Sequence, residues 1–212
     1  SLKTNAGDLV LGNGAYNDAM LTVTVERGTK TADSITIHNY DNSQNEKDDN
    51  DLVVYGELIA TGDVNIINDE SHVTVDASIV QGDNVTVDAA SYISNNAVVE
   101  ATGNVDFVAV TTVDNRNGIT ANKDVTFDAG NAVANGGNVT ASQDVTFKAA
   151  VGAVENKGVI RGADIKFEAE TNVINTNSIT ASKGVTFDAG DQVTNNSNVD
   201  ATEDVIYNAE DY

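Results

Sequence analysis

Apolar and polar residues alternate in short bursts along this chain, and the bursts recur at a fixed interval. The segment Asp124-Val-Thr-Phe-Asp-Ala129 returns as Asp144-Val-Thr-Phe-Lys-Ala149, Asp164-Ile-Lys-Phe-Glu-Ala169, Gly184-Val-Thr-Phe-Asp-Ala189 and Asp204-Val-Ile-Tyr-Asn-Ala209, with starts 20 residues apart. Earlier copies are Asn104-Val-Asp-Phe-Val-Ala109, Asn84-Val-Thr-Val-Asp-Ala89 and, after a 21-residue step, Val64-Asn65-Ile66, eight in all. Within each copy the apolar positions fall two apart, the period of a strand with one buried face. A second alternating segment precedes each copy (Val99/Ala101, Ile119/Ala121, Val139/Ala141, Ile179/Ala181, Val199/Ala201), and a third centres on Ile93, Val113, Val133, Val173 and Val193. Three short strands per 20 residues, joined by turns rich in Asn, Gly and Ser, predict an all-β fold: a three-sided parallel β-helix of about eight regular coils. The chirality rule for parallel crossovers predicts a right-handed one.

Stacked coils place like residues in columns. Phe107, Phe127, Phe147, Phe167, Phe187 and Tyr207 are expected to form one interior aromatic stack, and Asn95, Asn115, Asn135, Asn175 and Asn195 an amide column at a corner. One irregularity constrains the register: Val154 and Asn156 come one residue late, and a strict period would bury Arg161, a cost of several kcal/mol. An extra residue near Val151 and a compensating deletion between Gly162 and Asp164 turn Ile160 and Gly162 inward and Arg161 outward.

The regular solenoid is expected from 56 to 212. Residues 1–55 carry unevenly spaced strand-like runs (Leu9 to Leu11, Leu21 to Val25, Ser34 to His38, Leu52 to Tyr55) that fit either decorated coils or a separate β layer, with an acidic loop over 39–51. The chain stops at Tyr212, straight after a strand copy and with no polar capping coil, as expected of an excerpt from a longer shaft. Proline is absent, in keeping with strands whose amides must all donate.

Charge narrows the classes of function. Asp and Glu number 33 against 11 Lys and Arg, a formal charge of −22, which repels nucleic acid and anionic lipid. No apolar run reaches the length of a membrane span, so direct membrane insertion is not expected. There is no Cys, which removes disulfides and thiol chemistry, and only His38 and His72 could supply imidazole to a metal. Both histidines lie in strand-like segments without a partner at a readable spacing, which favours surface or packing roles.

Several groups invite a chemical reading. The column Asn84, Asn104, Asp124, Asp144, Asp164, Gly184, Asp204 suits either a cation ladder or turns needing side-chain-to-backbone bonds or positive φ; the second explains why only Asn, Asp and Gly occur there. Asp48, Asp49 and Asp51 are the candidate Ca²⁺ ligands, against the alternative of a solvated loop; no other cofactor is expected. Asp106 and Asp128 on adjacent coils could flank a sugar as a glycosidase pair, but Asp128, Lys148 and Glu168 also read as an outward column of alternating charge. Outward threonines at 120, 140, 180 and 126, 146, 186 suggest an ice-binding lattice that Asp106, Arg161, Lys166, Asp200 and Ile206 interrupt.

The run from Phe127 to Phe147, Phe-Asp-Ala-Gly-Asn-Ala-Val-Ala-Asn-Gly-Gly-Asn-Val-Thr-Ala-Ser-Gln-Asp-Val-Thr-Phe, resembles the haemagglutinin repeat of filamentous-haemagglutinin-type adhesins and contact-dependent inhibition exoproteins, over about residues 80 to 212. The resemblance implies a right-handed parallel β-helix, two-partner secretion, and an adhesive or receptor-presenting fibre at the bacterial surface. The family's Asn-Pro-Asn-Gly secretion motif is missing, which points either to another secretion route or to a segment of the shaft. The expectation is a non-catalytic, monomeric fibre segment whose partner is a host or bacterial surface receptor or glycan. A carbohydrate-active tailspike-like protein and an ice-binding solenoid are the alternatives.

Overall fold

A computed structural model describes residues 2–3, 7–12, 23–40 and 51–210, and among these there is no helix. Each coil contributes one strand to each of three parallel sheets. Sheet I holds strands such as Ile119–Ala121, sheet II strands such as Val125–Ala129, and sheet III strands such as Ala132–Asn135; they contain ten, ten and nine strands. Coils stack in register, so Val125, Thr126, Phe127, Asp128 and Ala129 lie beside Val145, Thr146, Phe147, Lys148 and Ala149. The chain is a parallel β-solenoid.

The period of two decides what is inside. In Val125–Ala129 the residues Val125, Phe127 and Ala129 are buried while Thr126 and Asp128 face outward, and the same pattern repeats in Val145–Ala149 and Val185–Ala189. The five phenylalanines are fully buried, and with Tyr207 they form one file with ring centroids 4.8 to 5.5 Å apart and planes within 7° of parallel. Parallel rings at this spacing are set by the coil rise of about 4.8 Å rather than by ring preference, which favours offset or edge-on pairs. Each ring nevertheless removes its surface from water, a gain of about 1.5–3 kcal/mol.

The predicted phase shift is present. Val154 lies beside Val133, 21 residues earlier, and beside Val173, 19 residues later. Ile160 pairs in the same way with Val139 and Ile179, whereas Ile165 is 20 residues from both Val145 and Val185. The surplus residue is taken up around Val151, 64% exposed, and the deficit between Gly162 and Ile165. Ile160 is buried and Arg161 exposed. Gly162 fills the alanine slot opposite Ala181, where an added Cβ would lie 3.0 Å from Val145 Cγ2, a contact that the valine would have to yield to by a few tenths of an ångström.

The N-terminal strands take the first places in the same three sheets: Leu9–Gly12 beside Ile35–Asn39 in sheet II, Val23–Val25 beside Leu52–Val54 in sheet III, and Thr29–Ala32 beside Glu57–Ala60 in sheet I. Of the two readings open for residues 1–55, the described strands are coils of the solenoid and not a separate layer. Thr29–Ala32 has no apolar repeat to announce it, because its inward residue is Lys30. That side chain is buried, and its ammonium donates to the carbonyls of Glu26 at 3.0 Å and Gly28 at 3.1 Å.

Phe147→Ala is expected to cost about 3–5 kcal/mol, the usual loss for a large-to-small change in a packed core. Phe147→Asp should abolish the cooperative melt and the β-sheet circular dichroism signal. Val151→Asp, at the exposed bulge, should stay within about 0.5 kcal/mol of the parent. An unchanged melting temperature for Phe147→Asp would contradict the register.

Candidate functional surface

Two polar columns run along the regular coils, and both are built from the coil repeat; in the coils before Asn95 the corner position is taken by Val75, Val54 and Val25. At the corner after sheet III, Asn95, Asn115, Asn135, Asn156, Asn175 and Asn195 stack directly, and all but the last are buried. Each amide nitrogen spends both hydrogens. One goes to the next asparagine's Oδ1 at 2.7–2.8 Å, or from Asn195 to the Tyr207 hydroxyl at 3.3 Å, and the other to the carbonyl two residues along its own chain, as from Asn135 to Gly137 at 2.8 Å. The corner is so tight that an added Cβ on Gly137 would lie 1.8 Å from the Asn117 carbonyl oxygen and one on Gly158 1.7 Å from that of Gly137, so only glycine fits.

The corner between sheets I and II carries the Asn/Asp column. Asn84 Oδ1 accepts from the Asn104 backbone N–H at 3.0 Å, Asn104 from Asp124 at 3.3 Å, Asp124 from Asp144 at 2.9 Å, Asp144 from Asp164 at 3.0 Å and Asp164 from Gly184 at 3.1 Å. These are the side-chain-to-backbone bonds expected of the turn reading, with one difference: they cross to the next coil rather than closing their own turn. Positive φ plays no part, since the described glycines with positive φ are Gly7 and Gly28. Gly184 is therefore a missing rung: it has no side chain to offer the next coil.

The candidate carboxylates occupy the outer face of sheet II. Asp106 lies beside Thr126, and Asp128 beside Lys148, whose Nζ is 3.7 Å from Asp128 Oδ2. Lys148 in turn pairs in register with Glu168, completing the expected charge column, and Lys166 lies 2.6 Å from Glu168. Burial pushes the Asp106 carboxyl up, opposed by a hydrogen bond from Thr126. Burial, then the nearby Asp69, pushes Asp88 up. The Lys166 hydrogen bond holds Glu168 down, and Lys183 at 3.0 Å holds Asp164 down. Asp106 and Asp128 stand diagonally on neighbouring strands, a separation of about 7–8 Å by sheet geometry.

Both histidines have carboxylate partners, contrary to the expectation of lone side chains. His38 Nε2 is 2.8 Å from Asp69 Oδ2, and His72 Nδ1 is 3.0 Å from Asp51 Oδ1. The partners are a whole coil away, so no short motif contains them; the coil period would have found the 21-residue His72–Asp51 pair, but not His38 and Asp69, which lie 31 residues apart across a longer coil. Ser71 Oγ is 3.2 Å from the same His72 Nδ1. A Ser-His-Asp relay needs serine and carboxylate on opposite ring nitrogens, and this arrangement does not provide that. Of the candidate Ca²⁺ ligands, Asp51 is engaged with His72, while Asp48 and Asp49 lie outside the described residues. Among the described residues no three His, Cys, Asp or Glu side chains converge to hold a metal ion.

The surface between the columns is shallow. A groove at the corner between sheets II and III is lined by Lys148, Glu168, Glu170, Asp188 and Glu210 over small residues such as Ala169 and Ala189. Among the described residues no helix is long and apolar enough to cross a membrane. Compared with known proteins, the chain matches no family model, no curated protein and no solved structure.

Gly184→Asn should restore the missing rung and raise the melting temperature, worth about 0.5–1.5 kcal/mol for one net hydrogen bond. Asn156→Ala should cost about 1–3 kcal/mol for each buried group it leaves unpaired. The carboxyls give a signed pH dependence. Asp88 and Asp106 are raised, so the stability they contribute is full below their unfolded values and lost as pH rises through the folded ones; Asp164 and Glu168 are lowered, so theirs is lost as pH falls. On acidification the melting temperature should first climb as Asp88 and Asp106 take up protons and then drop as Asp164 and Glu168 do, and Asp106→Asn should flatten the climb.

Proposed function

We propose that this chain is a non-catalytic stretch of the shaft of a large secreted bacterial surface adhesin, working outside the cell to hold binding elements at a distance for attachment to a host or bacterial receptor or glycan. The observation that carries the reading is the unbroken stacking of coils. Nine steps between the ten strands of sheet II, at about 4.8 Å each, make a rod of roughly 43 Å. Because each coil is pinned by backbone ladders on three sides, by ring on ring and by amide on amide, the rod resists bending, as a spacer must. The acidic outer face keeps parallel rods apart. The likeness of residues 80 to 212 to haemagglutinin repeats supports the same role.

A second reading, a carbohydrate-active β-helix enzyme, draws on one observation. A carboxyl raised by burial, as Asp106 is, has the character of a general acid, and Asp128 stands within the span of an inverting pair. Against it, Asp128 is tied to Lys148.

Cells displaying the protein are expected to attach to epithelial or bacterial cell layers severalfold more than cells displaying an unrelated solenoid, and equally well with Asp106→Asn. Equal attachment by the two displays would sink the adhesin reading. Reducing ends released from polysaccharides by the parent protein but not by Asp106→Asn would establish the enzyme in its place.

A further inference from the structure

The structure assigns Asn117 as a site of spontaneous deamidation, a built-in conversion of one corner amide to aspartate or isoaspartate. Three Asn-Gly pairs occur in the sequence, at 13–14, 117–118 and 135–136, and the last two are described. They share a dipeptide and a corner, yet their surroundings are opposite.

At Asn135 the reaction is blocked twice. Its Oδ1 accepts from Asn115, and its Nδ2 donates to Gly137 and Asn156, so the buried amide cannot rotate. The nucleophile is also occupied, since the Gly136 backbone N–H donates to the Asn115 carbonyl at 2.7 Å. At Asn117 the side chain is exposed, and among the described residues the Gly118 backbone N–H is bonded to no neighbouring coil. It donates instead to Asn117's own Oδ1 at 2.8 Å, which keeps the attacking nitrogen close to Cγ. Nδ2 is held only by the Asn96 carbonyl at 3.0 Å.

The step balances without any co-reactant beyond water. The Gly118 nitrogen loses its proton to solvent base and attacks Cγ. A nitrogen–carbon bond forms, the Cγ–Nδ2 bond breaks and ammonia leaves with a proton from solvent. Water then opens the cyclic imide at either carbonyl. Isoaspartate inserts a methylene into the main chain of the corner, adds a negative charge to the formal −22 and deletes the bond to Asn96. Asn177 has the same local geometry, with Ser178 donating to its Oδ1 at 2.8 Å, but the serine side chain crowds the imide, so it follows more slowly.

The test is peptide mapping by mass spectrometry after incubation of the folded protein in mildly alkaline buffer at body temperature. Asn117 should convert first, with Asn135 about tenfold or more slower because it reacts only from a locally opened coil. In denaturant the two rates should converge. Gly118→Ala should suppress conversion at 117 without lowering the melting temperature, since the nearest atom to the added Cβ is 4.0 Å away. Folded protein in which Asn135 converts as fast as Asn117, or in which Asn117 survives while denatured chain converts both, would overturn the assignment.

Discussion

Each coil of this protein is held chiefly by the coil before it and the coil after it, through parallel backbone ladders whose spacing dictates everything inside. That spacing lets one inward phenylalanine per coil suffice for the aromatic core. A chain with 5% aromatic residues and no tryptophan would make a poor globule, but here all five phenylalanines are buried, and Phe127, Phe147 and Phe167 each meet two identical neighbours at 4.8–5.5 Å. Stability is correspondingly one-dimensional, the sum of coil and interface terms rather than the property of a single centre.

The asparagine column does what the apolar file cannot. Stacked rings and valines tolerate sliding, whereas an amide that must give one hydrogen to its neighbour and one to its own turn accepts a single position. The energy of each bond is modest, but the alternative is an orphaned buried group, and that asymmetry fixes the register. It also explains how the coil containing Val154 keeps its place: Asn156 stays in the column, bonded to Asn135 and Asn175, although the spacing around it changes by one. The acidic ladder at the opposite corner extends the same logic, with Asp and Asn oxygens capping the N–H groups of the following coil.

The regular coils could be read from the chain because a strict period makes every copy evidence for the others. The phase shift at Val154 was readable for the same reason: burying Arg161 is too costly to allow any other register. Where the period lapses, so does the reading. The strand Thr29–Ala32 escaped because its interior residue is a lysine whose ammonium is hydrogen-bonded to two turn carbonyls, a solution visible only once the turn is built. The histidine–carboxylate pairs escaped because 31 and 21 residues separate partners that touch. The direction of the Asn/Asp bonds, across coils instead of within a turn, depends on backbone geometry that residue types do not encode.

The surplus residue at Val151 and its cancellation two strands later have an engineering meaning. Each length change is confined to one corner, and the two cancel within a single turn of the winding, leaving the strands above and below in phase. Closure entropy grows only slowly with loop length, about 0.6 kcal/mol per doubling. That corner is thus a natural graft point, where a foreign epitope can be carried on the side of the filament while the filament itself keeps its pitch.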